Sequence, residues 1–154
     1  MKPLLCMVTG ANSGIGLGLA QLLARDGHRV IVCCRTAAKA EAAMATIQAA
    51  TGSENLEPLA LDLSDPISIR AAVEAFYARH EHLDVLCNIA GAIYYRREDT
   101  AEGIEYNFAV NHLGPFQLCL LPGFTRKQTI HLRHIHHMHL ALNPVHDDFN
   151  NLEH

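Results

Sequence analysis

The stretch "VTGANSGIGLGLAQLL", residues 8–23, places four glycines between an apolar run and an amphipathic segment. Upstream, "PLLCMV" (3–8) is short, apolar and closed by Thr9-Gly10. Downstream, Ile15, Leu19, Leu22 and Leu23 recur at helical spacing until Gly27 offers a stop. The stretch predicts strand, turn and helix, with those four residues as the helix's apolar stripe.

Working outward, the same alternation repeats. "RVIVCC" (29–34) is a β-branched run, and Thr36 is placed to cap a helix striped by Ala40, Ala43, Met44 and Ile47 that ends near Gly52. "LEPLALDL" (56–63) precedes "SDP" (64–66), a cap followed by an early proline, and then a helix carrying Ile69, Ala72, Val73 and Phe76. "LDVLCNIAG" (83–91) is a fourth strand, and a polar loop leads to a helix expected from about Thr100 to Leu121. Near-continuous apolar strands alternating with helices imply parallel pairing with helices on both faces. The expected fold is α/β, a Rossmann-type doubly wound parallel sheet of about four strands ordered three, two, one, four. An irregular C-terminal tail follows it.

At 154 residues, 49% hydrophobic and 18% charged, the chain suits one soluble domain with a real core. A net charge of −4 and scattered Lys and Arg leave no basic footprint for nucleic acid. Five cysteines lack metal-type spacing, and four fall in predicted strands, so buried thiols in a reducing compartment are expected. "PLLCMVTG" runs directly into the glycine turn, leaving no room for a signal peptide, and no apolar run approaches the ~20 residues of a membrane helix. The expected location is cytoplasmic.

In such a sheet, ligands sit beyond the carboxyl ends of the strands, where the first strand-to-helix turn lies. Gly10, Gly14 and Gly16 stand at the start of the first helix, whose unpaired N–H groups and dipole favour an anion such as a diphosphate. Gly10 would allow the tight turn, Gly14 the approach of backbone to phosphate, and Gly16 close packing of helix on strand. The alternative is a turn that serves chain geometry alone.

Thr9-Gly10-Ala11-Asn12-Ser13-Gly14-Ile15-Gly16 resembles the T-G-x-x-x-G-x-G signature of the short-chain dehydrogenase/reductase family. Asp62-Leu63, Asn88-Ile89-Ala90-Gly91 and Val110-Asn111-His112-Leu113-Gly114 match that family in the same order, and "VCCRTAAKAEAA" and "TAEGIEYNFAVNHLGPF" are most similar to its retinol-dehydrogenase-like branch. The resemblance covers residues 3 to about 121. It implies an oxidoreductase that acts on a carbonyl or alcohol with a small-molecule dinucleotide as partner. Gly10, Asn12, Ser13, Gly14, Ile15 and Gly16 would surround the diphosphate and its ribose. Asp62 and Leu63 would flank the adenine, and Asn88, Ala90 and Gly91 would line the nucleoside side. The family usually has a second Asn where this chain has Ile89.

The choice of cofactor follows from charge. NAD sites carry an acid at the end of the second strand, yet no acid lies between Asp26 and Glu41. Cys34-Arg35-Thr36 stands there, and a guanidinium suits a 2′-phosphate. NADP is the expected cofactor, against the alternative of an ordinary solvated Arg35.

The resembled family takes its acid–base chemistry from a Tyr with a Lys four residues on, helped by a Ser. Tyr77, Tyr94, Tyr95 and Tyr106 are followed at that spacing by Glu81, Glu98, Asp99 and Val110, and no Ser occurs after Ser68. Asn111 is the one catalytic-type residue present, an incomplete set, on a helical face shared with Ile104 and Phe108. As an amide on an apolar stripe it must find partners, which leaves a structural role open.

From Pro122 the composition changes: 20 Ala and 4 His in residues 1–121 give way to 1 Ala and 7 His in 122–154. The expected organisation is a partial NADP-binding domain (1–121) and a His-rich, poorly ordered tail (122–154). His131, His134, His136, His137 and His139 lack a Cys or carboxylate to complete a rigid set, so no metal site is expected. The leading expectation is the NADP-binding portion of a short-chain oxidoreductase, truncated before Tyr-x-x-x-Lys and inactive alone. The rival is a non-enzymatic NADP-binding or interaction module. It would associate with itself or pair with a full-length relative through the open edge of strand four.

Overall fold

A computed structural model describes residues 2–120. Four strands, β1 (Leu5–Thr9), β2 (Arg29–Cys34), β3 (Leu56–Ala60) and β4 (Val85–Cys87), form one parallel sheet in the order β3-β2-β1-β4. The expected topology is therefore observed. The strands alternate with α1 (Gly14–Arg25), α2 (Ala37–Thr51) and α3 (Pro66–Tyr77), and the chain then passes through α4 (Tyr106–Phe108), a π-helical turn (Ala109–Leu113) and α5 (Gly114–Leu120). The expectations for residues 122–154, a poorly ordered tail and its histidines, lie outside the described residues.

β1 is buried along its whole length, as a strand covered on both faces must be. One core joins Met7, Ile31, Leu59, Ile69, Phe76 and Leu118 on the α3 and α5 side. A second joins Val8, Val30, Val32, Ala20, Ala24, Ala40 and Ile47 on the α1 and α2 side. The stripes of α2 and α3 fall where periodicity puts them: Ala40, Ala43 and Ile47 are buried, as are Ile69, Ala72, Val73 and Phe76. The Thr36 side chain accepts from the Lys39 N–H, and Asp65 from the Ile67 N–H, so both helices have the expected kind of cap. Cys6, Cys33, Cys34 and Cys87 are buried free thiols, and burial pushes Cys6 up to about 12.

Three local expectations are corrected. Of the stripe expected for α1, Leu19 and Leu23 pack half-buried against the second core, but Ile15 is 78% exposed and Leu22 55%, and the residues fully buried are Gly16, Ala20 and Ala24. At Gly16 the helix lies too close to the turn before it for any side chain to fit between. β3 stops at Ala60 and β4 at Cys87, short of the predicted residues 63 and 91, where their pairing with β2 and β1 ends. The last helical segment begins at Tyr106 and not near Thr100, because Gly103 takes a left-handed φ of 77° in a turn closed on Thr100. The Glu105 carboxylate then caps the new start by accepting from the Asn107 and Phe108 N–H groups. Those hydrogen bonds hold the Glu105 carboxyl below its ordinary range.

Candidate dinucleotide site

A cleft of about 450 Å³ opens at the carboxyl ends of the strands. Its wall includes the β1–α1 turn, with Gly10, Asn12, Ser13, Gly14, Ile15 and Gly16. Arg35 and Lys39 come from the end of β2 and the start of α2, Asp62 and Leu63 from the segment after β3, and Ala90 and Gly91 from the segment after β4. Eleven of the thirteen residues expected at the site thus line one cavity: Gly10, Asn12, Ser13, Gly14, Ile15, Gly16, Arg35, Asp62, Leu63, Ala90 and Gly91. Asn88 and Asn111 stand outside the wall. Asn88 donates through Nδ2 to Cys119 Sγ at 3.4 Å.

The turn is shaped by contact as much as by torsion. Gly10 has a φ of 68°, and a Cβ there would lie 2.8 Å from the Ala90 Cα, so only glycine lets the β1 and β4 ends close on one another. A Cβ on Gly16 would collide with the Gly10 carbonyl oxygen. Close packing at Gly16 is therefore against the turn itself. At Gly14, where φ is 52°, a Cβ would meet nothing within 4 Å, which leaves the backbone facing open space. Ser13, the residue before α1, makes no side-chain capping bond, in contrast to Thr36 and Asp65. The start of α1 thus offers N–H groups and positive dipole to a ligand in the cleft. These features fit a diphosphate.

Thr9 organises the floor, and sequence reasoning missed it. Its hydroxyl donates to the Cys87 carbonyl at 3.3 Å and accepts from the N–H groups of Ile89 and Ala90, each at 3.0 Å. Ile89 therefore enters this turn through its backbone, while its side chain packs against the α1 and α2 core. Lys39 was also missed. It adds a second cation to the Arg35 side of the cleft.

Arg35 donates from Nη2 to the Tyr94 hydroxyl at 3.2 Å, and its Nε lies 4.0 Å from Asp62 Oδ2. The Tyr94 hydrogen bond is the main cause that raises the Arg35 pKa, with burial opposing it. The other Asp62 oxygen is engaged by Ser64, whose N–H and hydroxyl donate at 2.9 and 2.6 Å.

Asn111 is exposed, and Phe108 on the same helical face is 51% exposed, so that face is not the buried stripe expected. It still finds partners: Oδ1 accepts from the Ala92 N–H at 2.8 Å and Nδ2 donates to the Ala92 carbonyl at 2.7 Å. Asn107 treats Tyr94 in the same way, accepting at 2.8 Å and donating at 3.0 Å. Two amides four residues apart thus clasp alternate residues of the segment after β4.

The short chain dehydrogenase family model matches residues 5–127 of this sequence. The chain belongs to the short-chain dehydrogenase family. Retinol dehydrogenase 12 of Bos taurus is 46% identical over 112 residues, which are 73% of this chain and 35% of the relative. This short-chain dehydrogenase chain therefore spans about a third of the length of that curated relative. Among solved structures, a short-chain dehydrogenase from Sphingobium yanoikuyae in complex with NADPH is 32% identical, with a TM-score of 0.61 over 77% of this chain and 46% of that one. A 3-ketoacyl-(acyl-carrier-protein) reductase from Brucella melitensis complexed with NADH is 30% identical, with a TM-score of 0.61 over 79% of this chain and 50% of that one. The neighbours thus include complexes with either dinucleotide. Among the described residues of this short-chain dehydrogenase, no helix is long and apolar enough to cross a membrane, and no group of three or more His, Cys, Asp or Glu could hold a metal.

Proposed function

We propose that this chain is the NADP(H)-binding portion of a short-chain oxidoreductase acting on a carbonyl or alcohol. The observation that carries this reading is the cleft wall, where the uncapped start of α1 and the open backbone at Gly14 face the same cavity as Arg35 and Lys39. In that reading the β1–α1 turn binds the diphosphate. Arg35, with Lys39 beside it, pairs with the 2′-phosphate, and Asp62 and Leu63 border the adenine. When bound, a nicotinamide dinucleotide supplies hydride to a carbonyl carbon or takes it from an alcohol. Thr9 orients the backbone of Ile89 and Ala90, and Asn111 fixes the path of Ala92, so each shapes the cavity through hydrogen bonds to the main chain.

These 154 residues contain no Tyr-x-x-x-Lys pair. The expected behaviour is binding of NADPH by the chain alone without reduction of a carbonyl. Calorimetry with NADPH and NADH on the full chain tests the binding. Arg35→Glu replaces a charge-assisted pair by repulsion and is expected to weaken NADPH by tenfold or more, about 1.4 kcal/mol per factor of ten, with NADH changed far less. Equal losses for the two dinucleotides would remove Arg35 as the phosphate reader. Turnover of a carbonyl by the pure chain would overturn the expectation of inactivity.

A second reading, a binding or interaction module, is favoured by one observation. β4 pairs with β1 on one side, and among the described residues no strand pairs with its other side. An unpaired strand edge is a template for association. Light scattering of the purified chain at micromolar concentration distinguishes a self-associating species from a monomer.

A further inference from the structure

We infer that Tyr94 is a positioning residue for cofactor choice, its hydroxyl holding the Arg35 guanidinium in the cleft wall from outside the cavity. The inference rests on the reading of Arg35 as the residue that meets the 2′-phosphate.

Arg35 lines the cleft, whereas Tyr94, Tyr106 and Asn107 do not. The hydroxyl of Tyr94 therefore reaches Arg35 from a residue outside the cavity lining. An arginine with its side chain 51% exposed would otherwise sample many rotamers, and ordering it on binding costs entropy. The contact spans 59 residues of sequence, so it joins the end of β2 to the segment after β4. Tyr94 is itself held at three points. Asn107 grips its N–H and its carbonyl, and its ring lies 5.0 Å from that of Tyr106, tilted by 47°. Asn107 is fixed in turn by Glu105, whose Oε1 accepts from Asn107 Nδ2 at 2.7 Å.

The guanidinium keeps donors to spare. It carries five N–H groups, and the Tyr94 hydroxyl takes one of them. Asp62 adds its charge 4.0 Å from Nε without saturating the fork. A phosphate thus meets an arginine already placed, while a dinucleotide without a 2′-phosphate gains nothing from that placement. Tyr94 should therefore act on the difference between NADPH and NADH and leave their shared contacts alone.

The test is a double-mutant cycle by calorimetry on the full chain, with NADPH and NADH as probes. Tyr94→Phe keeps the ring against Tyr106 and the backbone clasp by Asn107 and removes only the hydroxyl. The expected result is a rise in the NADPH dissociation constant of about three- to tenfold, the scale of one hydrogen bond. NADH should change by less than about twofold, and in an Arg35→Ala background the Tyr94→Phe change should have no further effect. Equal weakening of both dinucleotides, or no change in either, would overturn the inference while leaving Arg35 as phosphate reader. If Arg35→Ala itself left NADPH and NADH affinities unaltered, the reading of the site would fail first. Binding of neither dinucleotide by the parent chain would overturn both.

Discussion

α1 meets its face of the sheet through Gly16, Ala20 and Ala24, with Leu17, Leu19 and Leu23 packed half-buried beside them, and α2 through Ala40, Ala43 and Ile47, whereas α3 and α5 meet theirs through Ile69, Ala72, Val73, Phe76 and Leu118. Small residues bring a helix axis close, and large ones hold it away while burying more apolar area. The first face also carries the turn that forms the cleft, so its spacing is set by the site. The second face is set by the filling of volume. Both faces bury apolar residues, but the close approach to the glycine turn, at Gly16, lies on the α1 side, and the largest buried ring, Phe76, on the α3 side.

Phe76→Ala offers the sharpest way to break that division, because Phe76 is wholly buried, with Tyr77 and His80 rings at 5.1 and 4.9 Å. The expected cost is about 3–5 kcal/mol of stability by denaturant unfolding. NADPH affinity in the fraction that remains folded should be unchanged; weaker affinity there would show that the faces are coupled. Gly16→Ala reverses the emphasis. The added Cβ collides with the Gly10 carbonyl oxygen, so helix or turn must shift, with an expected stability loss of about 1–3 kcal/mol. The same shift moves the start of α1, and calorimetry should show NADPH binding weakened by more than that of any stable α3 variant.

Thr9→Val probes the seam between the two faces. It leaves the Ile89 and Ala90 N–H groups and the Cys87 carbonyl without their hydroxyl partner, and unfolding should register a loss of about 1–3 kcal/mol. Thr9→Ser, which keeps the hydroxyl, should recover much of it.

The sheet order was legible because strands and helices alternate with distinct periods, and the α2 and α3 stripes because their buried positions are also their regularly spaced apolar ones. α1 was misread for a physical reason. Hydrophobicity ranks Leu22 and Ile15 above Gly16 and Ala20, but close approach to a turn demands the smaller side chains. Most of the cleft wall was legible in the glycine signature and the Arg35 position, where local backbone chemistry is written in consecutive residues. Thr9, Tyr94 and Asn107 were not, since their roles exist only through partners brought close by folding, in the case of Thr9 some 80 positions away. The π-helical turn at Ala109–Leu113 left no mark that helical spacing could reveal.

The smallest expected effect lies at the opposite end of the sheet from the cleft. Glu57 accepts from Arg29 at 2.7 Å, meets His80 at 2.9 Å and has Arg79 at 3.6 Å. Burial pushes its carboxyl up, but the hydrogen bonds from His80 and Arg29 outweigh this, and the net shift is below the ordinary 4.5. A carboxyl lowered on folding contributes stability above its unfolded pKa and loses it as pH falls through the folded value. Acid unfolding followed by circular dichroism should therefore lose part of its steepness below about pH 4.5 in Glu57→Gln. The cleft-side variants should leave that limb unaltered.

The paired amides of Asn107 and Asn111 have a consequence for how freely this protein's sequence can vary. Each is in effect a spare peptide group: on residues 92 and 94 the two amides engage main-chain atoms alone, while Asn107 Nδ2 also donates to Glu105 Oε1. These amide bonds hold the loop's path without reference to its side chains, and Ile93 between the two, 78% exposed, carries none of the restraint. Shape and composition are uncoupled along this segment. A tyrosine that reaches Arg35 can be exchanged for another residue while the loop keeps its course, so the rim of the cleft can be rewritten one side chain at a time.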